Sequence, residues 1–187
     1  MPTLYILAGP NGAGKTTASR YLLPEVFKTE IFINADIIAA QMNPENPEAA
    51  SIAAGRQMLM EIEEKLFEKA TFAIETTLSS KGYLHLVKRA QLIGYEVVLY
   101  FFYLPSAEIA RIRVAERVRK GGHNIPSEVV QRRYDSGIMM LKFYLELADE
   151  WFVYLNEESP PTLIAEGSRA NKIKITNFEI WKQLANK

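Results

Sequence analysis

The chain has 187 residues, with 22 basic and 22 acidic side chains and no cysteine. This length fits one α/β domain, residues 1–187, and the lack of cysteine excludes disulfides and thiolate metal sites. The balanced charge argues against nucleic acid as a partner, and the sequence has neither a signal peptide nor an apolar run that could span a bilayer. We therefore expect a cytoplasmic protein without membrane contact.

The most informative motif follows the first apolar run, residues 4–8. Residues 9–17 read GPNGAGKTT and fit the phosphate-binding pattern G-x-x-x-x-G-K-[ST]. Gly9, Gly12 and Gly14 let the backbone take positive φ and turn its N–H groups toward phosphate oxygens, and the next helix adds its positive end. Lys15 is expected to reach the β- and γ-phosphates of ATP or GTP, and Thr16 to ligate Mg²⁺. The predicted nucleotide-binding residues are Gly9, Pro10, Asn11, Gly12, Ala13, Gly14, Lys15, Thr16 and Thr17.

Further along the chain, strands alternate with helices, which predicts βα units on a largely parallel sheet. The first helix should stop near Pro24. The later strands are expected at 31–34, 71–76, 96–104, 151–155 and 163–165, and the later helices at about 48–69, 83–93, 106–120, 127–148 and 178–184.

Two local patterns refine these helices. The helix at 48–69 should rest on the sheet through apolar residues spaced three, four and seven apart, namely Ile52, Leu59, Ile62 and Leu66. Ser106 and Ser127 are predicted to cap the two helices that follow the fourth strand.

Two carboxylates are predicted at the carboxyl edge of the sheet, where ligands bind in such folds. Asp36 follows the second strand and is a candidate general base, or a ligand for the water shell of Mg²⁺. Its alternative role is the N-cap of the next helix. Glu75 ends the third strand and could hold a Mg²⁺-bound water, or it could be a solvated strand end. Thr76 and Thr77 offer hydroxyls to a polar substrate.

A basic segment over about 106–134 has the form of a lid, a helix–glycine loop–helix rich in arginine. Arg113 and Arg117 lie one turn apart and could reach the phosphates together, with Arg119 nearby. Residues 121–122, two glycines, would give the freedom for closure, and half of the charges could be a solvated helix face. His123 by itself reads as a loop hydrogen-bonding residue.

Taken in order, these motifs resemble the zeta-toxin-like P-loop kinases, above all their shorter branch. The matching segments are residues 9–17, 34–36, 75–79, 117–118, 121–126 and 132–134. The glycine–glycine–histidine segment at 121–123 is much more specific than the phosphate loop alone. The resemblance implies a nucleotide-kinase-like P-loop NTPase. That is a three-layer α/β/α fold with a central, mainly parallel, five-stranded sheet and a helical lid.

The resemblance also implies a function. Zeta toxins phosphorylate UDP-N-acetylglucosamine on a sugar hydroxyl, and a small antitoxin protein covers their nucleotide site. By this match Asp36 is the catalytic carboxylate, with Thr76 or Thr77 in the substrate-binding loop. His123 stands where these toxins carry a second lid arginine, which makes it a substrate-binding candidate.

Our sequence-based hypothesis is an ATP-dependent kinase that phosphorylates a hydroxyl of a small polar acceptor. In it Lys15 positions the phosphates, Asp36 accepts the proton, the three lid arginines stabilise the transferred group, and Thr16 and Glu75 organise Mg²⁺. Two other functions fit the phosphate loop. One is an ATP-binding switch that regulates a partner and needs no base at Asp36. The other is a polynucleotide kinase, against which the neutral overall charge argues.

Overall fold

The computed structural model describes residues 1–122, 124–158, 160–170 and 173–187. The described residues form seven strands: β1 Thr3–Ala8, β2 Phe32–Ile33, β3 Phe72–Thr76, β4 Glu96–Tyr103, β5 Glu150–Leu155, β6 Thr162–Ser168 and β7 Lys174–Ile175. They also form seven α-helices: α1 Lys15–Leu22, α2 Ala35–Met42, α3 Ser51–Phe67, α4 Gly82–Leu92, α5 Ala107–Arg119, α6 Ser127–Leu147 and α7 Phe178–Ala185.

The strands form one sheet in the order β2-β3-β1-β4-β5-β6-β7. The first five in that order run parallel, and β6 and β7 are antiparallel additions at one edge. The α/β fold with a mainly parallel central sheet is therefore confirmed. The described residues form seven strands, whereas the resemblance implied five and the strand patterns predicted six. β7 was missed because it is only two residues long and both are exposed.

The centre of the core is β4, which is buried from Val97 to Tyr103. A strand that is apolar on both faces belongs at the middle of a parallel sheet, and β4 lies between β1 and β5. Because β1 to β5 are parallel, their carboxyl ends meet at one edge. The phosphate loop, the start of α2 and the residues after β3 and β5 all follow from that edge.

The first helix ends at Leu22, near Pro24 as predicted, and a π-helical turn, Leu23–Phe27, follows it. Two other local predictions need correction. Ser127 is the first residue of α6 and not its cap, whereas the Ser106 hydroxyl does accept from the Ile109 N–H at 3.3 Å. A 3₁₀ turn, Pro47–Ala50, precedes α3 and shortens that helix.

The buried face of α3 also differs from the prediction. Ile62 and Leu66 are buried as expected, but Ile52 is 73% exposed and Leu59 53% exposed. Ala54 and Met58 occupy the buried face in their place. α3 packs against α2 and β2, and its buried residues are all spaced four apart, at 54, 58, 62 and 66, so positions 52 and 59 lie off that face. Among the described residues, no helix is both long and apolar enough to cross a membrane.

Candidate active site

The phosphate loop has the backbone that its sequence predicts. Gly9, Gly12 and Gly14 all have positive φ angles, and α1 begins directly afterwards at Lys15. The Lys15 side chain is 5% exposed, and its Nζ donates to the Pro10 carbonyl at 3.0 Å. Burial lowers the pKa of Lys15, while the nearby carboxylates of Glu75 and Asp36 partly oppose that shift.

Glu75 is the centre of the polar network at the end of β3. Its Oε2 accepts from Thr16 Oγ1 at 2.7 Å and from Asn34 Nδ2 at 2.8 Å. Its Oε1 lies 3.6 Å from Lys15 Nζ, and the side chain is only 11% exposed. The alternative of a solvated strand end is therefore wrong. Two oxygen-bearing side chains, Glu75 and Thr16, lie side by side at the foot of the loop, and oxygen atoms are the ligands that Mg²⁺ prefers.

Asn34 is the residue that caps α2. Its Oδ1 accepts from the Asp36 N–H at 2.7 Å and from the Ile37 N–H at 3.4 Å, while its Nδ2 holds Glu75. Asp36 is therefore not the N-cap, and its carboxylate is left in the first turn of the helix. The sequence had the cap signal in Asn34, an asparagine just before an apolar run, but gave no hint that its amide also reaches Glu75.

Asn156, just after β5, fastens the phosphate loop from the other side. Its Nδ2 donates to the Ala13 carbonyl at 2.6 Å. A Cβ on Gly14 would lie 2.5 Å from that same Nδ2, so the contact requires glycine. Arg113 in turn donates to the carbonyls of Asn156 and Glu157 at 2.6 and 2.7 Å. Sequence reasoning missed Asn156, because it is 143 residues from its partner.

Two adjoining cavities open along this edge of the sheet. The first has a volume of about 390 Å³ and lies between the phosphate loop and α5. It is lined by Asn11, Gly12, Gly14, Lys15, Thr16, Thr17, Asp36, Glu75, Arg113, Glu116, Arg117, Lys120 and Gly122. The second has a volume of about 190 Å³ and is lined by Asn11, Lys15, Asn34, Ala35, Asp36, Met58, Glu75, Thr76, Thr77, Ser79, Ser80, Tyr83 and Arg133.

Four residues line both cavities: Asn11, Lys15, Asp36 and Glu75. Asn11 is 6% exposed, and its Oδ1 is buried without a hydrogen-bond partner among the described residues. A buried polar atom without a partner is costly, so this atom at the junction of the two cavities is suited to accept from a ligand or a water. The cavities are thus two halves of one site.

The loop after β3 forms a wall of the smaller cavity. Leu78 is fully buried and has a φ of +54°, a strained conformation for a residue with a branched side chain. The Thr77 and Ser79 hydroxyls on either side of it lie 2.9 Å apart, and Thr76 Oγ1 accepts from the Leu78 N–H at 3.2 Å. Strain of this kind is typical of functional loops, and here it accompanies a run of hydroxyls at the cavity wall.

The lid arginines are used in different ways. Arg117 lines the larger cavity with its side chain half-buried, whereas the guanidinium of Arg113 is bonded to the loop after β5. Arg119 is exposed at the end of α5 and lines neither cavity, so the structure does not bring it to the phosphate site. His123 lies outside the described residues.

The glycine pair after α5 forms the end of that helix. Gly121 has a φ of +83° and donates to the Val118 carbonyl at 2.9 Å, and Gly122 donates to the Arg117 carbonyl at 2.9 Å. These two bonds make a Schellman motif. A Cβ on Gly122 would lie 2.6 Å from Arg117 Cγ, so the second glycine also lets the chain pass close to that side chain. The pair therefore fixes Arg117 beside the cavity.

The sequence matches a known protein family over most of its length. Residues 1–143 match the model of the family described as Zeta toxin. A relative from Haemophilus influenzae, described as an uncharacterized protein, is 35% identical over 126 residues, which is 67% of this chain and 88% of the relative.

Solved structures share the fold at low sequence identity. A chain of the AvrRxo1-ORF1:-ORF2 complex with ATP superposes with a TM-score of 0.74 at 15% identity. The match covers 98% of this chain but only 63% of that one. A chain from the PezAT chromosomal toxin–antitoxin system of Streptococcus pneumoniae gives 0.68 at 17% identity, covering 98% and 78%. Shikimate kinase from Acinetobacter baumannii gives 0.51 at 18%, covering 100% and 95%.

Proposed function

Because its residues 1–143 match that family model, this chain belongs to the Zeta toxin family of P-loop kinases, and we propose that it transfers the γ-phosphoryl group of ATP to a hydroxyl of a small polar acceptor. ATP would occupy the larger cavity with its phosphates on residues 9–17. The acceptor would occupy the smaller one. The family makes UDP-N-acetylglucosamine the first acceptor to test.

The observation that carries this proposal is the pair of cavities that share Asp36 and Lys15. A nucleotide switch or a simple ATPase needs one cavity for the nucleotide and a water molecule. A kinase needs a second cavity beside the first, with a base that reaches into it. Asp36 lines both, and no described side chain donates a hydrogen bond to its carboxylate.

The reaction then follows from the residues. Asp36 accepts the proton of the acceptor hydroxyl, whose oxygen forms a bond to the γ-phosphorus while the bond from that phosphorus to the bridging oxygen breaks and ADP leaves. Lys15 and Arg117 stabilise the negative charge on the transferred group. Thr16 and Glu75 would hold Mg²⁺, which supplies charge neutralisation between the β- and γ-phosphates.

Labelled ATP tests this proposal. The purified protein is incubated with γ-labelled ATP and Mg²⁺, with and without UDP-N-acetylglucosamine, and label transfer and phosphate release are followed together. Label on an acceptor that Asp36→Asn abolishes would support the kinase. Tight ATP binding with phosphate release alone, unchanged in Asp36→Asn, would instead support the switch.

The partner and the class of acceptor can be proposed in the same way. Two structural neighbours belong to a two-protein complex and to a toxin–antitoxin system, so a small antitoxin that covers the larger cavity is a proposed partner. A polynucleotide acceptor is less favoured, because the chain has 22 basic and 22 acidic side chains and therefore no net positive charge to attract a nucleic acid.

A further inference from the structure

Arg133 lines the smaller cavity, although it comes from α6 and not from the loops around the nucleotide. Its side chain is half-buried. Within the described residues, its guanidinium forms no hydrogen bond, and no carboxylate oxygen lies within 4.0 Å of it. An arginine carries five N–H donors, and the donors of Arg133 are left for solvent or for a ligand in this cavity. A cation at this position would attract an anionic ligand.

The packing of α6 keeps Arg133 at this place. Gly137 lies one helical turn further along the same face, and a Cβ there would come within 2.5 Å of the Thr77 carbonyl oxygen. Two turns beyond it, the Tyr144 hydroxyl donates to the Ser80 carbonyl at 2.8 Å. The helix is thus pressed directly against the wall of the smaller cavity. Arg133 belongs to the same surface, so it is positioned by rigid helical packing.

Among the described residues that line the smaller cavity, Arg133 is the cation that has no carboxylate within 4.0 Å. Lys15 faces Glu75 at 3.6 Å and donates to the Pro10 carbonyl. Glu75 also accepts from the neutral donors Thr16 and Asn34, so the positive charge of Lys15 and the negative charge of Glu75 offset each other. Asp36 is the remaining carboxylate of the lining, and it is more than 4.0 Å from the Arg133 guanidinium. A ligand that bridges these two groups would present a hydroxyl to one and an anionic oxygen group to the other.

We propose that Arg133 binds an anionic oxygen group of the acceptor, a carboxylate or a phosphate ester, while the acceptor's hydroxyl meets Asp36. The proposal rests on the proposed kinase function and names its substrate class, a small hydroxy acid or sugar phosphate. The cavity volume of about 190 Å³ limits the bound part of the acceptor to a small group, since a water molecule takes about 30 Å³ in the liquid. The planar fork of arginine suits both anions, because it donates two parallel N–H bonds.

Matched pairs of acceptors test the charge requirement. The acids are glycerate, glycerol 3-phosphate, glucuronate and glucose 6-phosphate, and their neutral partners are glycerol and glucose. The measured quantity is the ratio of kcat/KM for an acid to kcat/KM for its neutral partner, which cancels general damage to the enzyme. We expect a ratio well above ten in the wild type, and a fall of about 10- to 100-fold in Arg133→Gln.

Two further variants sharpen the comparison. Arg132→Gln is the control, because Arg132 is the adjacent arginine, is exposed and lines neither cavity. It should leave the ratio unchanged. Arg133→Lys should restore part of the ratio, since lysine keeps the charge and loses the fork. Whether the carboxylates or the phosphate esters give the larger ratio identifies the anion. A wild-type ratio near one, or an equal ratio in Arg133→Gln, would overturn the inference.

A second measurement does not depend on turnover. Phenylglyoxal modifies accessible arginines, and peptide mass spectrometry gives the rate at Arg133 and Arg132 separately. With a non-hydrolysable ATP analogue bound, the acids should slow the modification of Arg133, their neutral partners should not, and Arg132 should react equally in all cases. No protection by any acid would overturn the inference even if a neutral acceptor is phosphorylated. Protection of Arg133 without any phosphoryl transfer would contradict the kinase proposal but would still support an anion-binding site at Arg133.

Discussion

Asn156→Ala should make the phosphate loop less ordered without removing a side chain that lines the nucleotide cavity. The Asn156 amide is bonded to the Ala13 carbonyl at 2.6 Å, and Ala13 is fully buried within the loop. Alanine at 156 removes that donor. The Arg113 bond to the backbone carbonyl of residue 156 does not depend on the side chain and should persist. The change is therefore confined to one contact between the loop after β5 and the phosphate loop.

The expected magnitude follows from that one contact. A buried carbonyl left without its donor costs about 1–3 kcal/mol, so the free energy of unfolding should fall by about that amount. Binding of ATP would then have to restore the loop geometry. The apparent affinity for ATP therefore decreases in proportion to the fraction of protein molecules whose loop already has that geometry. Since about 1.4 kcal/mol is a factor of ten, a cost of about 1–3 kcal/mol corresponds to a rise of about 5- to 140-fold in the Kd for ATP.

Urea unfolding gives the stability, and calorimetric titration of the protein with ATP and Mg²⁺ gives the Kd. Glu157→Ala is the matched control, because Glu157 is the next residue and contributes only its backbone carbonyl to Arg113, which alanine keeps. Its side chain is exposed, so this control should change neither quantity beyond about 0.5 kcal/mol.

A double variant with Gly14→Ala gives the strongest test. A Cβ at Gly14 carries two costs, a φ of +76° and a contact of 2.5 Å with Asn156 Nδ2. Asn156→Ala removes the second cost and leaves the first, of about 1–2 kcal/mol. The double variant should therefore be more stable than the sum of the two changes predicts, by about 1 kcal/mol. Additive effects, or an Asn156→Ala protein with wild-type ATP affinity, would refute the reasoning.

Three further predictions concern the chemistry, the buried charge and the acceptor loop. Asp36→Asn should lower the single-turnover rate of label transfer by about 10²- to 10⁴-fold, and a smaller loss would contradict its role as base. Burial lowers the pKa of Lys15, so the unfolded chain binds that proton more readily. The free energy of unfolding should then rise with pH between the lowered pKa and 10.5, and urea curves of Lys15→Met should lack this contribution. Gly137→Ala must displace the Thr77 carbonyl, which should raise the KM for the acceptor more than the KM for ATP in steady-state kinetics.

The sequence predicted well wherever the signal is local. The phosphate loop is contiguous, and positive φ angles were predicted and found at Gly9, Gly12 and Gly14. Asp36 and Glu75 were placed at the same edge because the carboxyl ends of parallel strands meet there, and register puts Glu75 opposite Leu7. The apolar β4 was recognised as central for the same kind of reason. These features depend on residue type and on the order of elements alone.

Local patterns failed where neighbours from distant parts of the chain determine a residue's role. Asp36 and Asn34 are both good caps, and the hydrogen bonds of the folded site give the cap to Asn34. Ile52 fits an apolar stripe, but the packing of α3 on α2 leaves it exposed. Arg119 has the same chemistry as Arg117, and only the direction in which the helix presents each one separates them.

The sequence by itself determined the kind of nucleotide site and the class of fold, since both are encoded by short motifs and by the alternation of strands and helices. Tertiary structure decided how the site is completed. Asn156 reaches the phosphate loop from the end of β5, and Arg133 reaches the smaller cavity from α6. Contacts between residues so far apart in the sequence depend on how helices and strands pack together, and the spacing of residues along the chain does not predict that packing.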